Sequence, residues 1–223
     1  VTGGDGTAPV RVVVADDQAA VRTGLVMILG SAADIEVVGE AGDGLTAVQL
    51  ATRLRPDVVL MDVRMPGIDG IEATRRLLEP GAHHPQVLVL TTFDLDEYVD
   101  DALAAGAAGF LLKSVGAPQL LDAVRAVARG DGVLAPEVTR RVIARLAGTA
   151  RPARLPAGLE YLTARETDVL ACVGRGLSNA EISAELVITE ATTKTHVSRV
   201  LAKLGVQSRV QAAIAARHAG LVP

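Results

Sequence analysis

Short apolar runs alternate with helix-length stretches across residues 10–130. The runs are Val10–Ala15 (VRVVVA), Ile35–Gly39 (IEVVG), Val58–Met61 (VVLM), Val87–Thr91 (VLVLT) and Gly109–Leu112 (GFLL). Each holds four to six residues, mostly β-branched or Leu, as expected of strands buried on both faces of a sheet. Helical segments are predicted near residues 18–30, 44–54, 69–79, 95–105 and 117–130. Five alternations of strand and helix imply right-handed crossovers and a parallel, doubly wound α/β sheet of five strands. Such sheets bind ligands beyond the carboxyl ends of their strands.

After Gly130 the pattern changes. Pro136 suits the first turn of a short helix with Val138, Val142 and Leu146 on one face, and Gly148–Gly158 (GTARPARLPAG) reads as a linker. No strand signal follows. Four helix starts share one grammar: Thr163-x-x-Glu166, Ser178-x-x-Glu181, Ser208-x-x-Gln211 and the partial match Thr189-x-x-Thr192. A hydroxyl there accepts the N3 amide, and in the first three the Glu or Gln reaches back. Gly176 and Gly205 stop the first and third helices, so this unit is all-α with four helices. At 100° per residue, Glu190–Leu204 places Lys194, Thr195, Ser198, Arg199 and Ala202 on one side, and Thr193, Val197, Val200, Leu201 and Leu204 on the other. The first face is small, polar and basic. With the preceding helix Asn179–Leu186 and the tight Val187-Ile188-Thr189 connection, it suits a helix laid in a DNA major groove. The expected division is 10–130, then 131–158 as helix and linker, then 159–223.

Composition narrows the classes. Aromatics are 2% with no Trp, which argues against the stacking platforms that grip single strands. One Cys precludes an intrachain disulfide or a Cys-based zinc site. No apolar run nears the ~18 residues of a membrane span. Val1–Pro9 lacks the pattern of a secretory signal and is expected to be a mobile tail on a cytoplasmic protein with no membrane partner. The net charge of −4 splits into −7 for residues 1–150 (13 basic, 20 acidic) and +3 for the remainder (9 basic, 6 acidic). Two units with different partners follow from that asymmetry.

Asp16 and Asp17 end the first predicted strand and Asp62 the third. If those strands are neighbours, three carboxylates converge, an arrangement that repulsion makes costly unless a cation sits among them. Mg²⁺ fits, because it takes oxygen ligands and bridges carboxylates to phosphate oxygens. Thr91 and Lys113 end the fourth and fifth strands at the same edge, suited to cradling a phosphoryl group. The segments Ala15-Asp16-Asp17-Gln18, Leu60-Met61-Asp62-Val63-Arg64-Met65-Pro66-Gly67, Leu90-Thr91-Thr92 and Gly109-Phe110-Leu111-Leu112-Lys113 together resemble the receiver domain of two-component response regulators. The resemblance implies a flavodoxin-like receiver fold with Asp62 as phosphoacceptor and a sensor histidine kinase as phosphodonor. It implies Mg²⁺ held by Asp16, Asp17, Asp62 and the Arg64 backbone carbonyl. Thr91, Thr92 and Lys113 would contact the phosphoryl group, and Phe110 would be the switch aromatic. Ser114 departs from the Pro that often follows the Lys.

Residues 162–221 resemble the LuxR-type (GerE) helix-turn-helix through Leu162-Thr163-Ala164-Arg165-Glu166, Gly176-Leu177-Ser178-Asn179-Ala180-Glu181-Ile182, Lys194-Thr195-His196-Val197 and Lys203-Leu204-Gly205-Val206. The resemblance implies double-stranded promoter DNA as partner, with base-edge contacts from Lys194, Thr195 and Ser198 and phosphate contacts from Thr192, Arg199 and Lys203. It also implies a homodimer contact on the last helix through Val210 and Ile214. Thr193 stands where a Val is usual. The expectation is a transcriptional response regulator of the NarL/LuxR type rather than an enzyme. Two alternatives stay open at this stage: a phosphatase-type enzyme using the same carboxylates, and a regulator whose receiver only dimerises. Cys172 is expected in the core. His83 and His84 form a loop pair with no third ligand nearby, and His196 either touches phosphate or packs. His218 should face solvent, and Asp94, Asp96 and Glu97 should do no more than favour a helix start.

Overall fold

The computed structural model describes residues 8–79, 84–91, 98–134 and 158–222. Residues 1–7 of the expected tail, the helix after Pro136, nearly all of the linker, Thr92, and the residues His83, Asp94, Asp96 and Glu97 lie outside them.

In the N-terminal unit, β1 (Val10–Ala15), β2 (Ile35–Ala41), β3 (Val58–Asp62), β4 (Gln86–Thr91), β5 (Gly109–Leu112) and β6 (Val133–Leu134) form one sheet in the order β2-β1-β3-β4-β5-β6, every pair parallel. The helices α1 (Ala19–Gly30), α2 (Gly44–Leu54), α3 (Gly70–Leu77), α4 (Tyr98–Ala104) and α5 (Ala117–Ala128) make the crossovers. The five expected strands are present and a sixth corrects the count. β6 is two residues long and pairs with Gly109 and Phe110, too short to leave a hydrophobic run of its own. The central strands are shielded by helices on both faces, so their Val and Leu side chains are almost wholly buried and no polar alternation is required. Asp43 and Asp69 cap α2 and α3 by accepting from Thr46 and Glu72 amides.

The C-terminal unit opens with a 3₁₀ turn (Leu159–Tyr161), followed by α6 (Ala164–Gly174), α7 (Asn179–Leu186), α8 (Glu190–Leu204) and α9 (Arg209–His218). Its own core gathers Val169, Leu170, Cys172, Ile182, Val197, Val200 and Leu204 among others. All four hydroxyl caps form. Thr163/Glu166 and Ser178/Glu181 are complete capping boxes. Gln211 behaves differently from expectation: its Oε1 accepts from the Gln207 amide, one residue ahead of the cap. Its Nε2 leaves the unit to donate to the Leu103 and Ala104 carbonyls at the end of α4.

The two units touch along this seam. Val210 is buried with the N-terminal core and Ile214 packs against it. Asp131 accepts from the Asn179 amide at 3.1 Å, and the Asn179 side-chain amide donates to the Arg129 carbonyl at 2.9 Å. Arg209 donates to Asn179 Oδ1 at 2.8 Å and to the Leu177 carbonyl. Burial draws its pKa below the arginine value, with Asp131 opposing.

Candidate functional site

The strand order reverses between β2-β1 and β3-β4, which makes β1 and β3 neighbours in register Ala15↔Met61. Asp16 and Asp62 are therefore side by side at the carboxyl edge, at the switch point where open α/β sheets bind ligands. Asp17 follows on the exposed side. Carboxylate oxygens of Asp16, Asp17 and Asp62 all lie within 4.8 Å of one another. Lys113, just past β5, reaches both buried acids, with Nζ 2.7 Å from Asp16 Oδ2 and 2.8 Å from Asp62 Oδ2. Its backbone amide donates to the Thr91 carbonyl at 2.7 Å, joining the ends of β4 and β5. Thr91 is buried at the same edge, and Phe110 is wholly buried in register with Val89. Arg64 stands two residues past Asp62 in the loop before α3.

Burial is the main influence on Asp62 and raises its pKa. Lys113 lowers it and Asp16 raises it further. For Lys113, burial works against the ammonium, but the two carboxylates outweigh it and hold the pKa above the ordinary lysine value. One ammonium thus pairs with two members of a three-carboxylate cluster. Asp16 Oδ2 is buried with the Lys113 ammonium as its partner. An oxygen-seeking divalent cation such as Mg²⁺ fits this all-carboxylate donor set, since it would offset the excess negative charge.

Two contributors escaped the sequence reading. Gly70 opens α3 with its amide 2.9 Å from the Val63 carbonyl. A Cβ there would lie 1.9 Å from the Asp62 carbonyl oxygen, so the loop that follows Asp62 closes only over a glycine. Arg22 on α1 donates from Nη1 to the Asp16 carbonyl at 2.6 Å. A glycine after an Asp, or an arginine amid apolar helix residues, carries no periodic signal.

On α8 the polar and apolar faces divide as expected. Thr192, Lys194, Thr195, Ser198 and Arg199 are exposed, and Thr193, Val197 and Val200 are buried. Lys203 behaves otherwise: its ammonium is 2.6 Å from Glu166 Oε2, an ion pair tying α8 to α6. Lys194 and Ser198 line a cavity of about 210 Å³ shared with Gln86, Arg129 and Gly130 of the N-terminal unit. Val210 and Ile214 face that unit instead of open solvent. Cys172 is core, burial pushing its thiol pKa up. His196 Nδ1 is buried without a partner, and His84 and His218 are exposed.

Comparison with known proteins agrees with this geometry. Residues 12–125 match the response regulator receiver domain, and residues 160–216 match the luxR family of bacterial regulatory proteins. The transcriptional regulatory protein LiaR of Bacillus subtilis is 43% identical over 96% of this chain and 99% of its own. The chain belongs to the LuxR-type two-component response regulators. The regulator is also similar to the response regulator ChrA of a heme-sensing two-component system, at 41% identity and TM-score 0.54, over 97% of this chain and all of that one. The receiver domain of a response regulator NarL from Mycobacterium tuberculosis matches at 40% identity and TM-score 0.53, covering 56% of this chain and 99% of that domain. Among the described residues, no helix is long and apolar enough to cross a membrane.

Proposed function

We propose that the regulator is switched by phosphorylation of Asp62 from a sensor histidine kinase and binds promoter DNA as a dimer. The observation that carries this reading is the placement of Asp62 beside Asp16 and under Lys113 at the sheet's switch point. An Asp62 carboxylate oxygen attacks the phosphorus of a phosphohistidine, the P–N bond breaks, and the imidazole leaves with the electron pair. Asp16, Asp17, Asp62 and the Arg64 carbonyl would hold Mg²⁺, which would supply neutralisation of the charge on the transferring group. Lys113 moves from its bond with Asp62 to a phosphoryl oxygen, and Thr91 with Thr92 offers hydroxyl donors. Phe110 follows Thr91 as β4 and β5 adjust. Each of these contacts favours the phosphorylated packing, which is how a local charge shifts a population between two states.

The functional division is 10–130 for the receiver, 131–158 for connection and 159–223 for DNA binding. Lys194, Thr195 and Ser198 read bases, while Thr192, Arg199 and Lys203 hold phosphates. Val210 and Ile214 contact a second copy. The protein works in the cytoplasm, where kinase and DNA are both accessible.

Acetyl phosphate with Mg²⁺ tests the phosphoacceptor. The native regulator becomes labelled and its affinity for target DNA rises, and Asp62→Asn abolishes both changes. Labelling of Asp62→Asn at the native level would remove Asp62 from the mechanism. Turnover of small phosphate esters would favour the enzymatic alternative instead.

A further inference from the structure

Arg22 lies on the first full turn of α1, below the loop that carries Asp16 and Asp17. Its guanidinium has two attachments. Nη1 donates to the Asp16 main-chain carbonyl at 2.6 Å, and Nε is 3.3 Å from Glu40 Oε2 near the end of β2. Gly42 lies alongside, where a Cβ would come within 3.7 Å of Nη1. The side chain is only 21% exposed, whereas Glu40 is 49% exposed. The Asp16 amide donates to the Ala41 carbonyl. The peptide units flanking Asp16 are thus gripped from both sides, by β2 at the amide and by Arg22 at the carbonyl. Asp16 Oδ1 accepts from the Gln18 amide, which aims Oδ2 toward Lys113 and Asp62.

We propose that Arg22 is a positioning residue for the acidic pocket, fixing the β1–α1 loop so that Asp16 and Asp17 present their oxygens to the divalent cation. This rests on the reading of Asp16, Asp17 and Asp62 as a Mg²⁺ site. A planar guanidinium spans two acceptors in fixed directions, and an ammonium does not. Outer-shell partners that orient metal ligands typically change metal affinity by about 10- to 100-fold when removed.

Charge alone makes the opposite prediction. Arg22 is a cation near a cation site, so neutralising it would strengthen Mg²⁺ binding if its field were all that mattered. Positioning requires Arg22→Gln to weaken it, and Arg22→Lys, which keeps the charge, to weaken it as well. The test is calorimetric titration of the full-length chain with Mg²⁺, paired with melting of the metal-free proteins. We expect about tenfold weaker Mg²⁺ binding for both variants, metal-free midpoints close to native, and acetyl phosphate labelling that recovers as Mg²⁺ is raised. Arg22→Lys decides the matter should Arg22→Gln fold poorly. Native affinity in Arg22→Lys, or tighter binding in Arg22→Gln, overturns the proposal. Absence of saturable Mg²⁺ binding by the native chain defeats the underlying site reading instead, so the two failures are told apart.

Discussion

Thr193 lies on the buried face of α8. It is fully buried and its hydroxyl has no hydrogen-bond partner. An unserved buried hydroxyl costs about 1–3 kcal/mol, and a valine of nearly the same shape removes it. Thr193→Val should therefore stabilise the C-terminal unit by about 1 kcal/mol, read as a shifted denaturation midpoint, and a loss of stability would contradict the packing. Asp62 is a misfit of another kind, a buried carboxyl. Its pKa is raised above 3.8 chiefly by burial. A carboxyl whose folded pKa is raised adds stability below its unfolded value and loses it as pH climbs through the folded one. Once ionised, the group is therefore a burden in the metal-free protein. Asp62→Asn should raise the metal-free melting temperature, and Mg²⁺ should narrow the gap by stabilising only the native protein; a lower midpoint for the variant would refute this.

Between elements, the pair that matters is Glu166 and Lys203. Glu166 completes the Thr163 capping box and also meets the Lys203 ammonium. Lys203 first, then the Thr163 amide, hold its pKa down to about 2 from 4.5. A depressed folded pKa gives stability that is present above the unfolded value and lost as pH falls through the folded one. The C-terminal unit should lose stability between about pH 4.5 and pH 2, and Glu166→Gln should flatten that dependence in melts followed by circular dichroism. An unchanged slope would show that the pair does not couple α6 to α8. Lys203 thus already serves the fold through Glu166. Replacing Arg199 should flatten the salt dependence of DNA binding more than replacing Lys203, because Arg199 is exposed and unencumbered by Glu166. The elements themselves were legible because period and caps agreed: VVLM, between two helix-length stretches, reads as a buried strand, and Thr163-x-x-Glu166 reads as a helix start. The acid cluster was legible because Asp at strand ends shares an edge once the sheet is parallel. Gly70 was not, since its necessity arises from a carbonyl eight positions back, and β6 was too brief to register.

Across the whole molecule, the seam is where sequence reading ends. Asn179 bonds residues about 50 positions away, and Gln211 bonds carbonyls more than 100 away, with no periodic trace of either. Gln211 holds the end of α4, and Lys194 and Ser198 border the segment that Asn179 grips. Asn179→Ala or Gln211→Ala should loosen the units, increase the radius of gyration in solution scattering, and strengthen DNA binding by the unphosphorylated chain. Compact variants with native DNA affinity would deny the seam that role.

Val210 and Ile214 give this arrangement its quantitative character. Their face already has an occupant inside the chain, and under the proposed pairing it must be vacated before a second copy can use it. Self-association then competes with an intramolecular rival whose effective concentration does not fall on dilution. Scarce protein stays solitary, abundant protein pairs, and whatever weakens the internal rival lowers the abundance at which the change occurs.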